Sequence, residues 1–332
     1  MSPRRFAILL LAGVLAACSP GASSPGASVP SGSGGLTKVT LLLGFRPDVQ
    51  FAPFYLAQQK GYYADAGLDV SIEFKQSPDV IRLVGDGQAL VGVADATDVM
   101  ISRTSGIPVK YVSTLYDRFP VAIIGRAGAV PTDPAGLKGK TIGTPGKFGS
   151  SWAALLALLK AGELTVDDIT VREYPQFNQA DGLAQGDVDL ITGFRNNEPL
   201  RLESQGIAVD QLTIDEIAPL PGPGIISGDT TLASSPALVR AFAEATARGQ
   251  AAVIADPSAG VAAAEVAVPT IKDDRDAALA VLTATAELWK GESGFANGAI
   301  DMARWREAYG TMRDLGFIDG SVPVDEMVAP AG

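Results

Sequence analysis

The sequence predicts an α/β fold, and three observations carry that prediction. Short apolar, β-branched runs alternate along the chain with segments of helical spacing, as strand–helix–strand units do. About 300 residues follow a low-complexity N-terminal stretch, enough to bury a large core in one big or two medium domains. No internal repeat and no heptad pattern points to a solenoid or a coiled coil instead.

The chain is organised around its first such unit. Val39 to Leu43 is an apolar run that reads as a buried strand, ended by Gly44. A loop with Pro47 and Pro53 follows, then Phe54, Tyr55, Ala57 and Tyr62 at helical spacing, and a second strand from Leu68 to Phe74. The loop lies at the carboxyl end of the first strand, where ligands sit in open α/β sheets. Phe45, Gln50 and Phe51 are therefore candidate ligand contacts.

Gln50-Phe-Ala-Pro-Phe-Tyr-Leu-Ala, Lys60-Gly-Tyr-Tyr and Gly67-Leu-Asp-Val together resemble the opening of the SsuA/THI5-like (NMT1-like) periplasmic binding proteins, from about Val39 to about Val268. These are solute receptors of ABC importers. The resemblance implies a type II periplasmic binding protein fold, two-lobed and α/β, with the ligand cleft between the lobes. It also implies a permease and an ATPase as partners, and a monomeric receptor. The implied division is 36–124 plus 225–332 for lobe one and 125–224 for lobe two.

The N-terminus begins with Arg4 and Arg5, an apolar run from Phe6, and Leu15-Ala-Ala-Cys18. This is a secretory signal over residues 1–17, too short an apolar run for a transmembrane helix. Leu-Ala-Ala-Cys resembles a lipoprotein signal, in which Cys18 is lipidated, with plain secretion as the alternative. Residues 18–35, nearly all Ser, Pro, Gly and Ala after the cysteine, read as a flexible tether. The expected location is the extracytoplasmic face of a bacterial membrane, held by a lipid anchor.

Composition excludes several function classes. The whole chain carries 26 basic and 37 acidic residues, a net charge of −11; without Arg4 and Arg5 it is 24 against 37, or −13. That balance argues against nucleic acid as a partner. There is no histidine and only one cysteine. Ser-His-Asp triads, Cys-His dyads, His-ligated metals and internal disulfides are thereby removed. No catalytic residue, metal or cofactor is expected. The fungal branch of the resembled family contains pyrimidine synthases that consume their own active-site histidine, and this chain has none to consume.

Further along, Ser77 and Pro78 suit a helix start, with Ser77 as N-cap. Leu90 to Ala94 is a strand, and Asp95-Ala-Thr97-Asp98 precedes a helix from Val99 to Ser105. Asp95 and Thr97 either bond a ligand or simply cap that helix. Strands follow at Ile107–Tyr116 and Val121–Gly125, the second of which typically crosses between lobes in the resembled family. Tyr116, between them, is a candidate contact. Leu137 to Gly143 is a turn and a short strand.

Gly143-Thr-Pro-Gly146-Lys-Phe148-Gly149-Ser150-Ser-Trp152 leads into an apolar helix through Leu159. Its glycines let backbone amides approach a ligand, and the helix start favours acceptor groups. The glycine spacing is not that of a P-loop. Phe148 and Trp152 offer flat faces for stacking or for the core; Gly149 and Ser150 offer backbone and hydroxyl donors. Ile169–Tyr174 and Val188–Thr192 read as strands, with a helix opened by Gln176-Phe-Asn178-Gln between them.

Phe-Asn178-Gln and Asn196-Asn197-Glu198-Pro resemble the part of the family that binds thiamin pyrimidine precursors and riboflavin. Asn supplies a donor beside an acceptor and Glu two acceptors, enough to read the edge of a pyrimidine ring; a turn and cap pair is the other reading of Asn196 and Asn197. The expected ligand is a small vitamin-related aromatic heterocycle, riboflavin first, because Val49-Gln-Phe-Ala-Pro-Phe-Tyr resembles that branch. Formylaminopyrimidine or hydroxymethylpyrimidine is the alternative. An alkanesulfonate or taurine receptor, or a carboxylate-dependent enzyme on the same fold, stands behind these. Pro219 to Gly224 returns the chain to lobe one, helices fill the remainder, and Val328 to Gly332 is expected to fray.

Overall fold

The computed structural model describes residues 35–215, 217–290 and 298–331. The expected signal segment, the Cys18 lipidation site and the tether up to residue 34 lie outside the described residues. From Leu36 onward the chain forms one unit.

In chain order the elements are β1 (Thr37–Leu43), α1 (Ala52–Gln59), α2 (Tyr62–Asp65), β2 (Leu68–Phe74), α3 (Ser77–Gly85), β3 (Val91–Ala94), α4 (Ala96–Thr104), β4 (Val109–Thr114) and β5 (Val121–Arg126). Then come β6 (Thr141–Thr144), α5 (Gly149–Ala161), β7 (Thr170–Glu173), α6 (Gln179–Gln185), β8 (Leu190–Phe194), α7 (Glu198–Ser204) and β9 (Val209–Thr213). The chain closes with β10 (Gly224–Gly228), α8 (Asp229–Ser234), α9 (Pro236–Ala255), α10 (Pro257–Ala267), α11 (Arg275–Lys290) and α12 (Met302–Asp314).

The strands form two five-stranded sheets, ordered β2-β1-β3-β10-β4 and β7-β6-β8-β5-β9. Each has parallel strands on one side and one antiparallel strand, β10 or β5, set next to its far edge. That inserted strand is the one the chain reaches after crossing from the other sheet. The two crossings, β4 to β5 and β9 to β10, leave two lobes joined by two segments, the two-lobed α/β architecture the sequence implies. The expected limits at 124 and 224 fall inside β5 and at the first residue of β10. Among the described residues β5 pairs with β8 and β9, so the whole strand lies in the second sheet.

Burial explains the layering. In β5, Val121 to Gly125 are all buried, as a strand covered on both faces requires. One core packs α1, α9, α10 and α11 against the first sheet, and α1 meets α9 so closely that a Cβ on Gly249 would come within 2.3 Å of the Pro53 carbonyl oxygen. A second core is continuous from α3 and α4 through α5 to Ile123, Ile142 and Leu190 of the second sheet. The α4–α5 side of the molecule thus ties the lobes together by apolar burial.

Four sequence expectations need correction. Ser77 is the first residue of α3 rather than its cap, and its hydroxyl donates to Asp98 Oδ2 at 3.1 Å. α4 begins at Ala96, not Val99, because Thr97 and Asp98 join its first turn. Strand β9 and helix α8 have no counterpart in the sequence reading; β9 is a half-exposed edge strand with few apolar residues. The C-terminal residues do not fray up to Ala331: Val328 bridges Tyr111, and the Ala329 and Ala331 N–H groups donate to the carbonyls of Tyr111 and Val112.

Candidate ligand-binding site

Between the two sheets lies a cavity. Its walls come from the carboxyl ends of strands and the loops after them, where open α/β sheets bind ligands. The β1–α1 loop supplies Phe45, Gln50 and Phe51; the β3–α4 turn supplies Asp95; the segment after β4 supplies Tyr116. From the second lobe come Phe148, Gly149 and Ser150 at the start of α5, and Asn197 and Glu198 at the start of α7. These ten sequence-predicted residues are brought to one cavity.

The other four are not. Thr97 is fully buried within α4 and does not line the cavity. Trp152 lies further along α5 and packs on the second core, with the Lys147 ammonium 5.9 Å from its ring centre. Asn178 borders a second depression, which it shares with Phe177, Arg46 and Arg201. Asn196 is buried, and its amide donates to the Thr285 hydroxyl at 2.7 Å, linking the β8–α7 turn to α11 of lobe one.

Several cavity residues escape sequence reasoning. Phe54, Phe177, Gln179, Phe194 and Trp289 also line it. Phe177 has φ +55°, in the left-handed region that an aromatic residue rarely adopts. Its ring meets Phe45 edge to face at 4.7 Å, an aromatic contact across the cleft. Such strain at a cleft aromatic marks functional positions, but only coordinates reveal it. Trp289, in α11, is far from every motif in the sequence; it packs edge-on against Tyr116, which in turn packs edge-on against Phe194. Burial raises the Tyr116 hydroxyl above its ordinary range, so it stays protonated.

The polar groups are held by an unusual exchange between lobes. Asp95 occupies the N-cap position of α4 but makes no cap bond there. Its Oδ2 instead accepts the Ser150 N–H at 2.9 Å, while Asp98 Oδ1 accepts the Gly149 N–H at 3.1 Å. Two carboxylates from α4 thus cap α5 of the other lobe. Gly149 has φ +71°, which a side chain would strain, and a Cβ there would come within 3.1 Å of Asp95 Oδ2. Burial, then the adjacent Asp95 charge, pushes the Asp98 carboxyl up to about 7, and burial raises Asp95 as well.

Glu198 Oε2 accepts the Phe194 N–H at 2.8 Å, and its Oε1 accepts from Gln179 Nε2 at 3.3 Å. Burial raises this carboxyl too, against the pull of that N–H and of Arg201 and Arg46. Asn197 Oδ1 accepts from Arg201 Nε at 2.6 Å. Arg201 Nη2 also reaches both oxygens of Asp48, at 2.7 and 2.8 Å, a clasp from α7 to the β1–α1 loop. No lysine or arginine is among the described residues that line the cavity. The walls are thus aromatic and acceptor-rich, suited to clamp a flat ring and bond its N–H or O–H groups.

The chain matches the NMT1/THI5 like family over residues 48–260. It is similar to the riboflavin-binding protein RibY of Chloroflexus aurantiacus, 34% identical over 96% of this chain and 93% of that protein. It is also similar to a 4-amino-5-hydroxymethyl-2-methylpyrimidine phosphate synthase of Aspergillus parasiticus, 29% identical over 67% of this chain and 68% of that protein. Among solved structures, the alkanesulfonate-binding protein SsuA of Xanthomonas axonopodis pv. citri, bound to MOPS, superposes with a TM-score of 0.68 at 16% identity, over 90% of this chain and 100% of that one. SsuA of Escherichia coli gives 0.67 at 12%, over 88% and 92%. At those identities the likeness is one of fold, the periplasmic binding protein fold. The family match and the near full-length similarity together establish that this chain belongs to the NMT1/THI5-like family.

Proposed function

We propose that the chain is the lipid-anchored, monomeric substrate-binding component of an ABC importer for a vitamin-related aromatic heterocycle, riboflavin first. The observation that carries this reading is the interlobe cavity, walled by Phe45, Phe148, Phe177 and Trp289 with the Gln50, Gln179, Asn197 and Glu198 side chains among them. Aromatic side chains from both lobes meet there, so a flat ring can be clamped on its faces. Similarity to a protein named as riboflavin-binding supports the same choice. A thiamin pyrimidine precursor is the second reading, supported by similarity to the synthases and by the acceptor edge at Glu198.

The rivals fit the walls less well. A sulfonate needs cationic partners, and no lysine or arginine lines the cavity among the described residues. A histidine-consuming synthase lacks its histidine here. As a receptor, the protein holds the ring between lobes, and interlobe bonds such as Asp48–Arg201 stabilise the closed form offered to the permease and ATPase. Lipidation at Cys18 keeps it at the extracytoplasmic face of the membrane. Calorimetric titration of the purified full chain with riboflavin, hydroxymethylpyrimidine, thiamin and an alkanesulfonate tests the ligand: tightest binding of the sulfonate overturns the reading. Cys18→Ser tests the anchor, which is refuted if the variant stays in the membrane fraction.

A further inference from the structure

We infer that the cleft takes an uncharged heterocycle carrying N–H or O–H donors and rejects the phosphate ester of that heterocycle, with Asp95 and Asp98 setting the preference. Charge selection of this kind presupposes the heterocycle reading above and sharpens it to one form of the ligand.

The first N–H groups of a helix lack intrahelical partners and attract anions. α5, thirteen residues long, opens onto the cavity with Gly149 and Ser150 in its wall. In this chain the N–H groups of both are already taken, by Asp98 and Asp95. The Ser77 hydroxyl, bonded to the second Asp98 oxygen, fixes that carboxylate in place. An anionic ligand arriving here finds two carboxylates where the free donors of a helix start would be. Glu198 adds a third carboxylate on the opposite lobe.

A second feature points to what the cleft does accept. Gln50 and Gln179 are 7% and 2% exposed, line the cavity, and have side-chain oxygens with no partner among the described residues. Buried acceptors of this kind are costly unless a ligand donor meets them. A flavin or aminopyrimidine brings N–H and O–H groups; its phosphate ester keeps the ring N–H groups but trades one O–H donor for a dianion that brings only acceptors. Arg46 and Arg201 lie in the neighbouring depression, and Arg201 is committed to Asp48.

The test is titration of the full chain at pH 8, above the Asp98 value of about 7, with two matched pairs: riboflavin against riboflavin 5′-phosphate, and hydroxymethylpyrimidine against its phosphate. Like-charge contact predicts that the phosphate binds at least about a hundredfold more weakly than its neutral partner. Asp95→Asn with Asp98→Asn keeps an acceptor for each N–H and removes the charge the pair carries at pH 8, so that ratio should fall at least about tenfold. Should the double variant fail to fold, Asp98→Asn alone, a position outside the cavity wall, should lower it at least about threefold. Phosphate binding within about threefold of the neutral form, or variants that keep the full ratio, overturns the inference and leaves the heterocycle reading intact. Failure of both neutral heterocycles to bind overturns that reading and the charge selection with it.

Discussion

Replacing Glu198 with glutamine separates a ligand contact from a structural clip. In the parent, one carboxylate oxygen accepts the Phe194 N–H at 2.8 Å and the other accepts from Gln179 Nε2 at 3.3 Å. In Glu198→Gln the remaining oxygen still serves Phe194, and the new NH₂ faces the Gln179 NH₂. The Gln179 oxygen has no partner among the described residues, so a half-turn of its amide restores a donor–acceptor pair and gives up only the long 3.4 Å bond from its Nε2 to the Thr192 carbonyl. The cost to folding is therefore below about 1 kcal/mol. Ligand binding loses more, because a ring N–H that met a buried carboxylate now meets a neutral amide. Hydrogen bonds to charged groups contribute about 1.5–3 kcal/mol, which is about ten- to a hundredfold in affinity. Calorimetric titration with riboflavin, beside thermal melts of both proteins, reads the two effects separately. A folded Glu198→Gln chain that binds as tightly as the parent makes Glu198 a helix-start residue only.

Three other outcomes follow from the same geometry. Arg201→Met breaks the clasp to Asp48, whose side chain is 6% exposed; partial exposure of Arg201 limits the loss to about 1–2 kcal/mol, or about tenfold weaker riboflavin binding, and unchanged affinity in a folded variant refutes the clasp. Phe148→Leu keeps apolar burial and removes the flat face, so binding should weaken by about 0.5–1.5 kcal/mol; no loss on titration places Phe148 outside the ligand contact. The Asp98 carboxyl is raised to about 7 from an ordinary value near 4. A raised folded value means the stabilisation is present at low pH and lost as pH rises through 7, with Asp95 shifted the same way. Going from pH 8 to pH 6 should therefore stabilise the chain by about 1 kcal/mol. Thermal melts read this, and the rise should shrink in Asp98→Asn, where Asp95 remains; a flat parent profile contradicts it.

The fold was legible where local pattern and tertiary demand agree. The Val39–Leu43 run and the Leu68–Phe74 alternation pair strand to strand in parallel, and the loop between them reaches the cavity as strand-end loops do. Edge strand β9 was not legible, because a half-exposed strand carries little apolar signal. Nor was the C-terminal pairing beside β4, which rests on backbone bonds and on burial of Met327 and Val328 against residues distant in sequence. At the site, motif residues on loops were found, but orientation was not. Asn196 and Asn197 are neighbours in sequence, yet one faces Thr285 and the other the cavity. Asp95 looked like a choice between ligand contact and a cap for its own helix; it caps α5 of the other lobe while lining the cavity. Phe177 was visible only as a motif member, since its left-handed backbone and its contact with Phe45 arise from closure of two distant segments.

The central claim is that this cleft binds a heterocycle and leaves it unchanged. Equilibrium dialysis of the purified full chain against riboflavin, with mass spectrometry of the recovered flavin, tests both halves in one experiment. One molecule of riboflavin retained per chain and recovered with its original mass is the predicted result. No retention, or recovery of a chemically altered flavin, contradicts it.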